Sequence, residues 1–303
     1  MAPLLLNARE TALRLPYDAL ARQLRAVLGD PTVQVPQRIV QPLAAGASLF
    51  VMPAADASVA MTKLITFTPA NAGSARATIQ GDVVVFDVAT GERRLVLDGP
   101  TVTARRTAAV SVLAAQWLAP RPDGTLLVIG AGAQGRAHVE AFVQVLGVRE
   151  VVIASRSPAS AQALADHARE LGASARVATD ADAALGDCPL AVTCTPASKV
   201  VLRAIPRNDA FISAVGAFTP QMAELSPQVC RHFATKGRIV VDTPEAVHEA
   251  GDLIQAGLEV SALPTLASIL VEANPRRDGP VLFKSCGWAG WDLAAARTAM
   301  AAS

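Results

Sequence analysis

The spacing of apolar and polar residues changes near residue 119. Before it the pattern is mixed: Tyr17 to Val27 repeats apolar residues at helical spacing. Short apolar runs then follow, Ser48 to Met52, Ser58 to Phe67, Asp82 to Phe86 and Arg94 to Leu97, separated by Pro and Gly as strands are. Gly91, after VVVFDVAT, marks a hairpin turn. Thr107 to Leu118 is built from good helix formers and stops before Pro120 and Pro122, so a helix is predicted there, with a domain boundary at Ala119 to Asp123. From Gly124 strands and helices alternate. TLLVIG, EVVIAS, PLAVTC, AFISAVG and RIVVD read as strands, and AHVEAFVQVLG and PASAQALADHARELG as helices. This alternation predicts a parallel sheet of about six strands covered on both faces. The fold class is therefore α/β: a Rossmann-type doubly wound parallel sheet over 119–285, beside an α+β substrate-binding and dimerisation domain formed by 1–118 with 286–303. The tail is expected to return to that domain as an amphipathic segment ending in a helix from Asp292 to Met300.

Composition supports this picture and narrows the partners. At roughly 150 residues per domain, 303 residues make two domains. Apolar residues are 51% and aromatics only 4%, with alanine the commonest residue, so helices and small-residue packing should dominate. The 27 basic and 26 acidic residues leave a formal charge of +1, which excludes the field needed to hold nucleic acid or anionic lipid. Every apolar run is broken before the roughly 18 residues that span a bilayer. The start, MAPLLLNARE, lacks the basic and apolar regions of a secretion signal. Cys188, Cys194, Cys230 and Cys286 form no CxxC pair and have no histidine at ligand spacing, which predicts free thiols, no metal and a cytoplasmic location. No internal repeat is visible. All but four of the basic residues are arginine, so Lys63, Lys199, Lys236 and Lys284 are each candidates for chemistry.

The run Gly130 to Gly135, GAGAQG, follows an apolar strand and opens a helix. Gly130 permits the tight turn, Gly132 lets backbone approach a pyrophosphate, and Gly135 allows close contact between helix and strand; with Ala133 and Gln134 they form a dinucleotide loop at a helix N-terminus. NAD sites place an acid at the end of the second strand. Here the segment reads Ala154, Ser155, Arg156, Ser157, with no acid before Asp166. Arg156 can fork onto a 2′-phosphate and both serines can donate to it, which favours NADPH while leaving NADH possible.

Several segments in one order, Pro36-Gln37-Arg38, Met52-Pro53, Lys63 with Asn71, Ala77 to Gly91, Thr103 to Ala109, GAGAQG, Ala214 to Leu225 and Leu282 to Ala296, together resemble the ornithine cyclodeaminase and mu-crystallin family over nearly the whole chain. The resemblance implies that Arg38, Lys63 and Arg106 hold a substrate carboxylate. It also implies that Thr78, Arg106, Thr107, Gln134, Thr195, Gly216 and Ser285 surround the cofactor, and that the protein is a homodimer through its first domain. Three converging cations would repel one another without an anionic ligand, so the arrangement suits a carboxylate.

Activities within that family differ. Its ornithine cyclodeaminases and alanine dehydrogenases carry an aspartate where this chain has Phe218, and tend to have lysine where it has Met222. A phenyl group accepts no proton, so deamination lacks its base. Reduction of a preformed cyclic imine needs only orientation against the nicotinamide and exclusion of water. The resemblance thus implies an NADPH-dependent reductase of Δ1-pyrroline-2-carboxylate or Δ1-piperideine-2-carboxylate, giving L-proline or L-pipecolate, with Lys63 orienting the carboxylate and acting as a candidate proton donor alongside water. The alternatives are an ornithine cyclodeaminase or alanine dehydrogenase drawing its acid from Glu224 or Asp292, and a mu-crystallin-like NADPH-binding protein.

Overall fold

The computed structural model describes residues 4–71, 74, 76–196, 199–272 and 277–302. The chain divides into two compact units, residues 1–109 with 288–303, and residues 110–287.

The first unit opens with strand β1 (Leu4–Leu6), helix α1 (Ala8–Leu13) and helix α2 (Tyr17–Gly29). Asn7 caps α1 and closes a capping box with Glu10. Strands β2 (Ile39–Pro42), β3 (Ser48–Ala55), β4 (Val59–Phe67), β5 (Ile79–Asp87) and β6 (Arg93–Asp98) follow. They form one sheet in the order β1-β6-β5-β4-β3-β2, antiparallel except for the β1–β6 pair. Gly91, at φ 69°, turns β5 into β6.

Helix α3 (Gly99–Leu118) starts eight residues before the helix expected at Thr107, because Asp98 caps its first turn by accepting from the Thr101 N–H at 2.8 Å. The division between units falls inside α3, upstream of the proline segment at 119–123. The second half of this helix belongs to the second unit, within which the Ser111 hydroxyl lies 2.9 Å from His138 Nε2 and 2.8 Å from Ser213 Oγ. His138 Nδ1 is 2.7 Å from the Gln134 carbonyl. That carbonyl only accepts, so Nδ1 carries the hydrogen and Nε2 accepts from Ser111. Burial pushes the His138 imidazole down to about 4, against the raising effect of the Gln134 carbonyl, so it stays neutral.

The second unit contains β7 (Leu126–Ile129), α4 (Ala133–Ala141), β8 (Glu150–Ala154), α5 (Pro158–Glu170), β9 (Ser174–Ala178), α6 (Ala181–Leu185), β10 (Leu190–Thr193), β11 (Phe211–Ala214), α7 (Pro227–Lys236), β12 (Arg238–Val241), α8 (Gly251–Gln255), α9 (Leu266–Leu270) and β13 (Val281–Lys284). All seven strands pair in parallel, in the order β12-β13-β11-β10-β7-β8-β9. The sheet is one strand wider than expected. The edge strand β9 (SARVA) interleaves Ser174 and Arg176 with small apolar residues, is largely exposed and carries no continuous apolar run, while β13 is a four-residue run inside VLFKSC. The order reverses between β7 and β10, which is where an open α/β sheet takes its ligand.

The chain then returns to the first unit as α10 (Ala289–Ala301). This helix is not amphipathic as expected: it begins three residues earlier than Asp292 and is buried nearly all round, from Ala289 through Ala296 and at Thr298 and Ala299. Alanine makes this possible, since its small side chain lets α10 pack on α2 and on β3 and β4 together.

Candidate functional site

In the first unit the alternation of β4 turns Val59, Met61, Lys63 and Ile65 inward. Lys63 is 1% exposed, flanked across the sheet by Met52 of β3 and Val83 of β5, both buried. Asp292, in the first turn of α10, is 0% exposed and sits against it. The Lys63 Nζ is 2.7 Å from Asp292 Oδ2, and Arg106 Nε donates to Asp292 Oδ1 at 3.2 Å. Sequence reasoning assigned Lys63 and Arg106 and left the anion to a ligand. The protein supplies one itself, which relieves the repulsion expected among the cations. Two buried cations still outnumber one carboxylate, and the charge of the half-buried Arg38 acts on Lys63 in the same direction as that of Arg106. Burial is the largest influence on Lys63; with the two arginines it outweighs Asp292 and pushes the amine down to about 8. Of the other residues expected here, Thr107 is buried and its hydroxyl donates to the Thr103 carbonyl at 2.7 Å. Thr78 is half-buried, and its carbonyl accepts from the Thr68 N–H.

In the second unit the glycine loop has the geometry its spacing demands. Gly130 stands at φ 116°, and a Cβ there would lie 2.7 Å from the Cys194 carbonyl. A Cβ on Gly135 would lie 2.0 Å from the Gly130 carbonyl, while one on Gly132 would meet nothing within 4 Å. Gly130 and Gly135 are thus required by the fold itself, and Gly132 leaves open space at the N-terminus of α4. Ala133 begins that helix, and Gln134 Oε1 is buried with no hydrogen-bond partner. The open backbone cradle fits a dinucleotide pyrophosphate, and the unsatisfied amide oxygen can accept from a hydroxyl or amide donor beside it. After β8, Arg156 is exposed; Ser157 caps α5 by accepting from the Ser160 N–H, and Ser155 Oγ accepts from the Ser157 N–H.

Thr195 and Gly216 follow β10 and β11 and are brought together by Glu224. Its Oε1 accepts from the Thr195 N–H at 2.6 Å and the Thr195 hydroxyl at 2.8 Å, and its Oε2 from the Gly216 N–H at 2.7 Å and the Thr193 hydroxyl at 2.8 Å. Behind it, Asp252 Oδ1 accepts from the Glu224 and Leu225 N–H groups, and Asp252 Oδ2 is 2.8 Å from Lys284 Nζ. Glu224, Asp252 and Lys284 are all buried to 1% exposure or less. Burial pushes the Glu224 carboxyl up. It also works against the Lys284 ammonium, but Asp252 leads the groups that outweigh it and hold Lys284 above the ordinary lysine range. Ser285 is buried too, and its hydroxyl donates to Asp242 Oδ2, which also accepts the Cys286 and Gly287 N–H groups. Sequence reasoning did not assign Asp242 or Asp252; the one usable signal was Lys284, a lysine kept in an arginine-rich chain.

A parallel sheet with a glycine loop at its switch point defines a Rossmann-type dinucleotide-binding protein, here with an α+β unit that holds a buried cluster of excess positive charge. The chain belongs to the ornithine cyclodeaminase/mu-crystallin family, whose pattern matches residues 8–301. It is 40% identical over 298 residues to Delta(1)-pyrroline-2-carboxylate reductase 1 of Burkholderia multivorans, covering 97% of this chain and 94% of that one. It is 38% identical over 297 residues to the Delta(1)-pyrroline-2-carboxylate/Delta(1)-piperideine-2-carboxylate reductase of Azospirillum brasilense, with the same coverage of 97% and 94%. Among solved structures, Thermococcus litoralis Delta(1)-pyrroline-2-carboxylate reductase in complex with NADH and L-proline has the same fold, with a TM-score of 0.86 at 22% identity over 100% of this chain and 97% of that one. Among the described residues no helix is long and apolar enough to cross a membrane.

Proposed function

We propose that this protein is an NAD(P)H-dependent reductase of cyclic imino acids, Δ1-pyrroline-2-carboxylate and Δ1-piperideine-2-carboxylate, yielding L-proline and L-pipecolate. The observation that carries the reading is the buried Lys63–Asp292–Arg106 cluster with its surplus of positive charge, in a chain whose relatives bear the names of such reductases. A planar α-carboxylate on the imine carbon is the anion this surplus suits, since a guanidinium and an ammonium fixed by one aspartate present donors at a set separation. A bound nicotinamide dinucleotide supplies the hydride. Gly130 to Gly135 and the N-terminus of α4 would hold its pyrophosphate, with Gln134, Thr195 and Gly216 as further cofactor-binding residues, and Arg156 would take the 2′-phosphate of NADPH. The imine carbon gains the hydride and the ring nitrogen gains a proton, for which the Lys63 ammonium, pushed down to about 8, is a donor matched to neutral pH.

Deamination of ornithine or alanine is the weaker reading. Both acids that could replace the one absent at Phe218 are engaged: Asp292 by Lys63 and Arg106, Glu224 by Thr193, Thr195 and Gly216. The test is to mix the protein with NADPH or NADH and either cyclic imine and follow the nicotinamide absorbance. Oxidation with at least one imine, faster with NADPH, is the expected result. Turnover of ornithine to proline and ammonia without imine reduction would overturn the reading, and cofactor binding without any turnover would leave an NADPH-binding protein.

The six-stranded sheet supports a homodimer. Ile39, Val51 and Leu64 lie in one row across β2, β3 and β4, on the face opposite Lys63, and Ile39 and Leu64 are 60% and 44% exposed. A second copy of the chain would cover this row. Light scattering is expected to give twice the chain mass for the wild type and the chain mass for Leu64→Glu; a monomeric wild type would sink the proposal.

A further inference from the structure

Asp292 places its two oxygens on two different cations, Oδ2 on Lys63 and Oδ1 on Arg106. A carboxylate divided in this way fixes the separation of the ammonium and the guanidinium as well as neutralising charge. Its own position is rigid, because α10 is buried nearly all round and cannot rotate. The first turn of a helix also favours an anion. The groups facing Lys63 are few. From α3 comes Arg106, from the segment before β2 comes Arg38, from α10 comes Asp292, and its neighbours on β3 and β5 are the apolar Met52 and Val83. With Asp292 neutral, the leading charges acting on Lys63 would be those of Arg106 and Arg38, both positive, in surroundings that already disfavour an ammonium.

We propose that Asp292 is the positioning residue of the carboxylate-binding cluster: it keeps Lys63 charged and fixed relative to Arg106, and thereby sets the upper pH limit of the reduction. This rests on the reading of the protein as a cyclic-imine reductase whose Lys63 must be an ammonium to hold the substrate. The sign follows from the directions of the individual influences. Burial, Arg106 and Arg38 lower the Lys63 pKa, and Asp292 raises it. Activity therefore falls as pH rises through about 8 in the wild type, and removing the Asp292 charge moves that fall to lower pH.

The experiment measures kcat/KM of the full chain with NADPH and Δ1-pyrroline-2-carboxylate from about pH 6 to 10 for the wild type, Asp292→Asn and Asp292→Glu. Titration of the imine nitrogen is common to all three and cancels in the comparison. The alkaline limb is expected to move down by at least about one pH unit in Asp292→Asn, a tenfold change in proton concentration, with KM raised, and to return toward the wild-type position in Asp292→Glu. The chain has only four lysines, so 15N-lysine NMR can follow the Lys63 amine directly, assigned through Lys63→Met. Its titration is expected to move with the limb. A limb at the same pH in the wild type and Asp292→Asn would overturn the proposal. So would a wild-type Lys63 amine that titrates at the free-lysine value, a measurement that stands even if Asp292→Asn does not fold. Absence of turnover by the wild type would overturn the reductase reading alone, and the NMR titrations of wild type and variant then decide what Asp292 does to Lys63.

Discussion

Replacing Lys63 by methionine is expected to lower kcat/KM for either cyclic imine by about 10²–10⁴-fold, the range for loss of a positioned proton donor and carboxylate partner. Methionine has nearly the length of lysine and suits the apolar neighbours Met52 and Val83, so the β4 packing survives. Asp292 keeps Arg106 as its partner, which limits the burial cost of the change. The loss should fall on turnover and imine affinity while NADPH affinity stays within about twofold, because Lys63 is not among the residues proposed to hold the dinucleotide. Steady-state rates with a dinucleotide fluorescence titration check both halves. Wild-type kcat/KM in this variant would remove Lys63 from the reaction.

Replacing Lys284 by methionine should act on stability first. The change leaves Asp252 buried without its cation at 2.8 Å, and breaking such a pair costs about 3–5 kcal/mol. The thermal midpoint is then expected to fall by about 6–20 °C. Asp252 anchors the backbone of Glu224, and Glu224 joins the segments after β10 and β11, so the KM for NADPH should rise as well. In the double variant Asp252→Asn, Lys284→Met the Asp252 charge goes together with its cation, Glu224 keeps its four hydrogen bonds, and part of the lost stability should return. Circular dichroism melts of the four proteins give the coupling. A Lys284→Met midpoint within about 2 °C of the wild type would show that the pair contributes little.

The dinucleotide half was legible because its information is local. The roles assigned to Gly130 and Gly135 depend on residues within a few positions of each other, and φ 116° at the first and the 2.0 Å approach at the second are what a strand, tight turn and helix impose. The apolar runs of β7, β8, β10, β11 and β12 stood out for a related reason: strands covered on both faces admit few polar residues, and the buried Thr193 and Ser213 are hydrogen-bonded. The edge strand β9 escaped because half of it faces solvent, and α10 was misread because alanine carries no periodic signal.

The buried charges were not legible as a set. Arg106 and Asp292 lie 186 positions apart, and nothing near either names the other. The same is true of Glu224, Asp252 and Lys284, which meet only once the second sheet has formed. By itself the sequence determined the fold class and the glycine turn, because periodicity and glycine chemistry are properties of single segments, and it singled out Lys63 as a candidate through the family resemblance and the rarity of lysine in the chain. Tertiary structure alone decided that the cations share an internal aspartate and that the segments holding Thr195 and Gly216 are joined by a glutamate. An ion pair stable in low dielectric needs both partners desolvated at contact distance, and only the packed fold brings distant residues to that distance.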